Sequence, residues 1–255
     1  MRKLIIVALA ALAFLGITSS ANAATTLQSN DFTGITFWLV SMAMLAGAVF
    51  FFLERNTVAA TWRTSVTVAG LICFVAFVHY IYIRGIWVET GETPTVYRYI
   101  DWFITFPMQI IQFYLILAAV RKVSGSMFWR LLIASVIMLV GGYLGEAGYI
   151  QEFVGFIILM AGWIYILFEI FSGEAGRIAS KGGNKALTNA FGALRMIVTI
   201  GWSIYPIGYV FGYLTGGIDQ NTLNVIYNLA DFVNKLAFGL VIWAAAMQNT
   251  SLSKR

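Results

Sequence analysis

Seven runs of about 20 or more mostly apolar residues divide this chain, and each is long enough to cross a bilayer's hydrocarbon core as a helix. They lie at Gly34 to Leu53, Ser65 to Ile83, Tyr97 to Val120, Phe128 to Gly145, Phe153 to Phe171, Ala190 to Leu214 and Asn221 to Met247. The runs are continuously apolar rather than alternating, and in lipid every backbone polar group needs a partner within the chain, so helices are expected and not a barrel. Short connections between them predict antiparallel neighbours. The expected fold is all-α, a seven-helix bundle in contact with membrane lipid. Composition agrees: 60% of the 255 residues are hydrophobic and 11% charged, outside the balance of a soluble domain.

The first residues form a unit of their own. Arg2 and Lys3 precede the apolar run Leu4 to Ile17, and Ala21 and Ala23 form a small-residue cleavage site. Residues 1–23 read as a signal peptide, and 24–255 as the helical domain. The formal charge of +5 comes from basic residues scattered through loops, so nucleic acid is not an expected partner. Arg55, Arg63, Arg121, Lys122, Arg130, Arg177, Lys181, Lys185, Lys254 and Arg255 share one side of the bundle; only Arg84 and Arg98 fall near the other. The basic side is expected in the cytoplasm, with the mature N-terminus outside and the C-terminus inside. Glu89, Glu92, Glu146 and Asp219 then lie on the outer side. The single cysteine, Cys73, has no Cys or His at ligand spacing and reads as packing, so no metal is expected.

Once the loop charges are set aside, a few ionisable residues remain at membrane depth: Arg98 and Asp101 in the third run, Asp231 and Lys235 in the seventh. A charge in the bilayer core is costly, so such residues pair or line a functional path. Asp231 and Lys235 are four apart, Arg98 and Asp101 three apart, so each couple shares a helix face. A structural Asp231–Lys235 ion pair is one reading. The other starts from depth: Lys235 is mid-span, where desolvation favours the neutral, nucleophilic amine that condenses with an aldehyde. The protonated imine would need a carboxylate, and Asp231 and Asp101 both lie on its outer side. Asp101, Thr105 and Gln112 return to nearly one face, with Gln112 about 16 Å further along the helix.

The stretch Arg98-Tyr-Ile-Asp101-Trp102 with Thr105 and Pro107, and the stretch Asn228-Leu-Ala-Asp231-Phe-Val-Asn-Lys235, resemble the third and seventh helices of microbial rhodopsins, proteorhodopsins in particular. The resemblance spans the mature chain. It implies a light-driven outward proton pump in a bacterial inner membrane, a transporter and not an enzyme. It implies all-trans retinal on Lys235, Asp101 as proton acceptor and main counter-ion, Asp231 as second counter-ion and Arg98 as gating cation. Trp102, Thr105, Trp163, Trp202, Tyr205 and Pro206 match pocket positions. His79 matches a histidine that bonds the acceptor and tunes its acidity, and Trp38 matches a tryptophan reaching that histidine from a neighbouring protomer. A homo-oligomer, pentamer or hexamer, is thereby implied. Gln109 occupies the family's colour-tuning position, where Gln accompanies blue absorption.

One position departs from the pattern. Where the family's pumps carry a glutamate that reprotonates the Schiff base, this chain has Gln112, which cannot supply a proton near neutral pH. A substitution made to trap an intermediate, a natural slow pigment and direct reprotonation from water would each account for it; the first suits a chain otherwise like a pump. A slow photocycle is expected in every case. Chloride- and sodium-pumping relatives share the Gln but lack a carboxylate at Asp101, which argues for protons. A sensory photoreceptor is the alternative. The short stretch after the seventh run speaks against it, since no signalling domain is expected there.

Overall fold

The computed structural model describes residues 27–92, 95–181 and 184–252. The expected signal peptide at 1–23 lies outside the described residues, as do Lys254 and Arg255. Seven helical spans are present: Phe32–Glu54, Ala60–Thr90, Thr95–Ala118, Gly125–Glu146, Glu152–Ser180, Lys185–Leu214 and Gln220–Ser251. Among the described residues there is no strand. All seven expected runs are helical, but several reach further than their apolar stretch. The second continues to Thr90, where Gly91 at φ 65° closes it, and the sixth starts at Lys185 rather than Ala190. Polar residues can extend a helix beyond the hydrocarbon, so an apolar run marks its core and not its ends.

Side chains at the span starts explain where helices begin. Asp31 Oδ1 accepts the Gly34 N–H at 2.8 Å, Ser124 Oγ that of Met127 at 3.3 Å, and Asn184 Oδ1 that of Leu187 at 3.0 Å. Asp219 Oδ1 accepts the Thr222 N–H at 3.0 Å ahead of the seventh span. Each satisfies a first-turn donor that has no intrahelical acceptor.

Packing inside lipid depends on close approach rather than on expelling water. The fourth and fifth spans meet through glycines: a Cβ on Gly155 would lie 2.7 Å from Gly145 Cα, and one on Gly162 2.8 Å from Met138 N. At the end where the seventh span finishes, here the carboxyl end, side chains cross-link the helices. Arg130 bridges Glu169 at 3.2 Å and Glu174 at 2.8 Å, and Trp62 Nε1 donates to Asn249 Oδ1 at 3.0 Å. Cys73 is wholly buried among apolar neighbours, in keeping with a packing role.

The sixth span is irregular. A helix over Lys185–Met196 passes into a π turn at Ile197–Gly201, a short helix at Ile204–Tyr209 and a second π turn at Val210–Leu214. Its first break faces the middle of the seventh span, where Lys235 sits.

Candidate functional site

The third and seventh spans bring Asp101, Asp231 and Lys235 together at mid-bundle, each no more than 1% exposed. Lys235 Nζ donates to Asp101 Oδ2, and to Asp231 Oδ2 at 2.9 Å. One cation thus faces two anions, and the trio is tolerable in a low-dielectric interior only with good geometry and further hydrogen bonds.

Those further bonds are shared unequally. Asp231 accepts from Tyr205 Oη at 2.7 Å, Tyr80 Oη at 2.9 Å and Trp102 Nε1 at 3.2 Å. Among the described residues the Asp101 carboxylate accepts from Lys235 alone, and its Oδ1 is buried without a partner. Chemically, Asp231 is a fixed anion lodged among donors, whereas Asp101 keeps an oxygen available.

Arg98 departs from expectation. Three residues from Asp101, it forms no ion pair with it; Nη2 donates instead to Asn224 Oδ1 at 2.8 Å and Asn228 Oδ1 at 3.1 Å on the seventh span. Asn228 passes the connection to Thr36 Oγ1 on the first span at 2.9 Å. The rings of Phe37, Trp102 and Tyr227 surround the guanidinium at 5.5–5.9 Å, while Nε and Nη1 lack partners. The reason is geometric: sharing a face places two residues near each other, but a long side chain can run along its helix toward acceptors that a neighbouring helix presents.

The expected row of Asp101, Thr105 and Gln112 lies on one buried face, yet among the described residues no path of side-chain hydrogen bonds leads from Asp101 to Gln112. Thr105 Oγ1 returns to the Asp101 carbonyl at 3.0 Å, and Gln112 Nε2 turns to the Ser65 carbonyl of the second span at 2.9 Å. Gln112 Oε1 is buried and unpartnered.

An apolar slot is lined by Trp102, Phe106, Trp163, Trp202, Tyr205 and Pro206, which brings together the expected aromatic positions, and two of them, Trp102 and Tyr205, also reach Asp231. Phe106 stacks obliquely on Trp202 at 4.4 Å and edge-on to Tyr205 at 5.2 Å. Gln109 is wholly buried, and its Nε2 lies 3.5 Å from the Asn234 carbonyl next to Lys235. His79 Nδ1 lies 3.0 Å from the Val75 carbonyl, and no hydrogen bond joins the ring to Asp101. Trp38 is 41% exposed on the bundle's outside, with the Arg84 guanidinium 5.1 Å above its ring.

Sequence reasoning missed several residues. Asn224 and Asn228 follow the same spacing of three and four residues as Asp231 and Lys235, so a polar stripe on the seventh span was there to be read. Tyr80 carried no such signal, being one of 12 tyrosines. Glu146, expected among outer acidic loop residues, ends the fourth span beside Tyr227 Oη at 3.4 Å.

Residues 31–249 match the family of bacteriorhodopsin-like proteins. The blue-light absorbing proteorhodopsin of Gamma-proteobacterium Hot 75m4 is 51% identical over 235 residues, 91% of this chain and 93% of that protein. The green-light absorbing proteorhodopsin of Gamma-proteobacterium EBAC31A08 is also 51% identical, over 88% of this chain and 90% of its own length. The crystal structure of a blue light-absorbing proteorhodopsin from Med12 superposes with a TM-score of 0.76 at 53% identity, covering 86% of this chain and 99% of that one.

Proposed function

Because the chain belongs to the family of bacteriorhodopsin-like proteins, we propose that it is a light-driven outward proton pump with retinal bound covalently to Lys235. The observation that carries this reading is the buried amine between two buried carboxylates whose hydrogen bonding is unequal. The residues suit all-trans retinal: a primary amine shielded from water, carboxylates to balance a positive linkage, and an apolar aromatic slot for a long hydrocarbon chain. Retinal, when bound, supplies light absorption and the isomerisation that readies the Schiff-base proton on Lys235 Nζ for transfer.

Asp101 takes that proton, because it has a free oxygen and no competing donor. Asp231 remains the anion, since Tyr80, Tyr205 and Trp102 already occupy its oxygens as donors. Arg98 stands on the amino-end side, where Asn224 and Asn228 hold it across the exit path. Gln112 can hold Ser65 but cannot return a proton to Nζ, so recovery is slow.

The basic residues at the carboxyl end, Arg55 to Lys185, favour that end as cytoplasmic in a bacterial inner membrane, which makes the direction past Arg98 outward. Residues 1–23 serve in this reading as an export signal. Trp38, exposed on the bundle's outside, and half-buried His79 support a protomer interface in a pentamer or hexamer in which Trp38 reaches a neighbour's histidine, with His79 tuning Asp101. Colour follows from Gln109, because the blue- and green-absorbing relatives are equally similar overall. An amide near the chromophore stabilises its ground-state charge, and Gln109→Leu is expected to move absorption from blue toward green. A maximum unchanged by that substitution removes Gln109 as the tuner.

Illuminated cells supplied with retinal should acidify their medium, and an uncoupler should abolish the effect. A visible absorption band without uncoupler-sensitive acidification overturns the pump. It would leave a slow sensory photoreceptor, the second reading that Gln112 favours. Hydroxylamine bleaching with loss of a retinal-sized mass at Lys235 tests the attachment itself.

A further inference from the structure

We infer that Asn234 and Trp163 are positioning residues that clamp the break in the sixth span, each capping a backbone carbonyl that the break deprives of its helical donor. The backbone bonds identify the two carbonyls. In a regular helix the Trp202 N–H would serve Val198, but in the π turn it goes to the Ile197 carbonyl at 3.0 Å. The Val198 carbonyl accepts instead from Trp163 Nε1 on the fifth span at 2.9 Å. The Tyr205 N–H would serve Gly201, but it turns to the Trp202 carbonyl at 3.1 Å, and the next residue, Pro206, has no N–H. The Gly201 carbonyl accepts from Asn234 Nδ2 on the seventh span at 3.0 Å.

The two capped carbonyls immediately precede the stretch that carries Trp202 and Tyr205, both rings of the slot. Asn234 precedes Lys235 in the chain, is 2% exposed, and its Nδ2 also lies 3.4 Å from Tyr205 Oη, which in turn donates to Asp231. One amide therefore connects the broken backbone, the slot and the anion. Residue 201 is bound to this arrangement, because a Cβ there would collide with Asn234 Oδ1. An uncapped carbonyl in this dry interior would carry the penalty of an unmade hydrogen bond, so the caps decide whether the break stays closed. Only the effect on a pigment rests on the retinal reading; the clamp belongs to the polypeptide.

The test is amide hydrogen exchange by mass spectrometry, on the full chain both without retinal and after its addition. Asn234→Leu keeps the branched shape and removes the donor; exchange across 197–209 is expected to rise about tenfold in both forms while other spans stay unchanged. Trp163→Phe keeps a ring and removes only the other donor, and it should raise exchange in the same segment about threefold. Because Trp163→Phe is the milder change, it answers the question even if Asn234→Leu does not fold. Wild-type exchange in 197–209 in either folded variant overturns the clamp, as does acceleration spread evenly over all spans. These outcomes are independent of acidification, so failure of the clamp and failure of the pump are told apart.

Discussion

On the amino-end side of Lys235 polar side chains are joined from helix to helix close to the amine, whereas on the carboxyl-end side apolar packing comes first and the polar cross-links lie at the rim. Asp101 and Asp231 meet Lys235; beyond them Arg98, Asn224, Asn228 and Thr36 connect the third, seventh and first spans. On the other side Phe113 packs edge-on against Phe191 at 5.1 Å and Phe238 at 6.0 Å, and Gln112 is the polar exception. A proton leaving Nζ meets an acceptor at once on one side and hydrocarbon on the other. In the proposed pump, direction would be a difference in wiring between two halves, and a missing donor in the dry half would slow return without touching release.

Five changes would break or sharpen that contrast. Asp101→Asn removes the acceptor and should eliminate light-driven acidification, by roughly 100-fold or more, in the assay on intact cells. Retained pumping would mean that Asp231, despite its three other donors, accepts the proton. Gln112→Glu places an ionisable group in the dry half and should speed recovery by roughly 100-fold in flash photolysis, leaving the release step unchanged. An unaltered recovery rate would show that water, not a side chain at this position, limits return.

Smaller effects separate the halves by stability. Asn228→Leu strips an acceptor from buried Arg98 and a donor from Thr36, at a cost of about 1–3 kcal/mol in thermal unfolding. Gln112→Leu, whose only bond is to a helical carbonyl, should cost less than about 1 kcal/mol. Equal costs would erase the distinction. The smallest change lies at the amino-end rim. Hydrogen bonds from Thr222 hold the Asp219 carboxyl below the usual carboxylate range. With a lowered folded value, its stabilising contribution is full above about pH 4 and fades as pH falls through that value. Asp219→Ala should slightly lower the melting temperature at neutral pH, and the difference from the parent should narrow in acid. A difference that persists unchanged in acid would remove the charge from the explanation.

What the amino-acid sequence determined by itself was the number of spans, the family motifs and the depth of Asp101, Asp231 and Lys235. Length of apolar run and helical periodicity are local properties, and in a bilayer they admit few alternatives. Span ends were less legible, since caps such as Asp31 and Asn184 act outside the apolar stretch. What only the tertiary structure decided was the allocation of hydrogen bonds: Arg98 to Asn224 and Asn228 instead of Asp101, Tyr80 to Asp231, Gln112 to Ser65. Each choice depends on what a neighbouring helix presents within about 3 Å, and spacing along one helix holds no record of its neighbours. The same holds for the sixth span, whose break can be suspected from Pro206 but whose closure rests on Trp163 and Asn234, two residues from other helices.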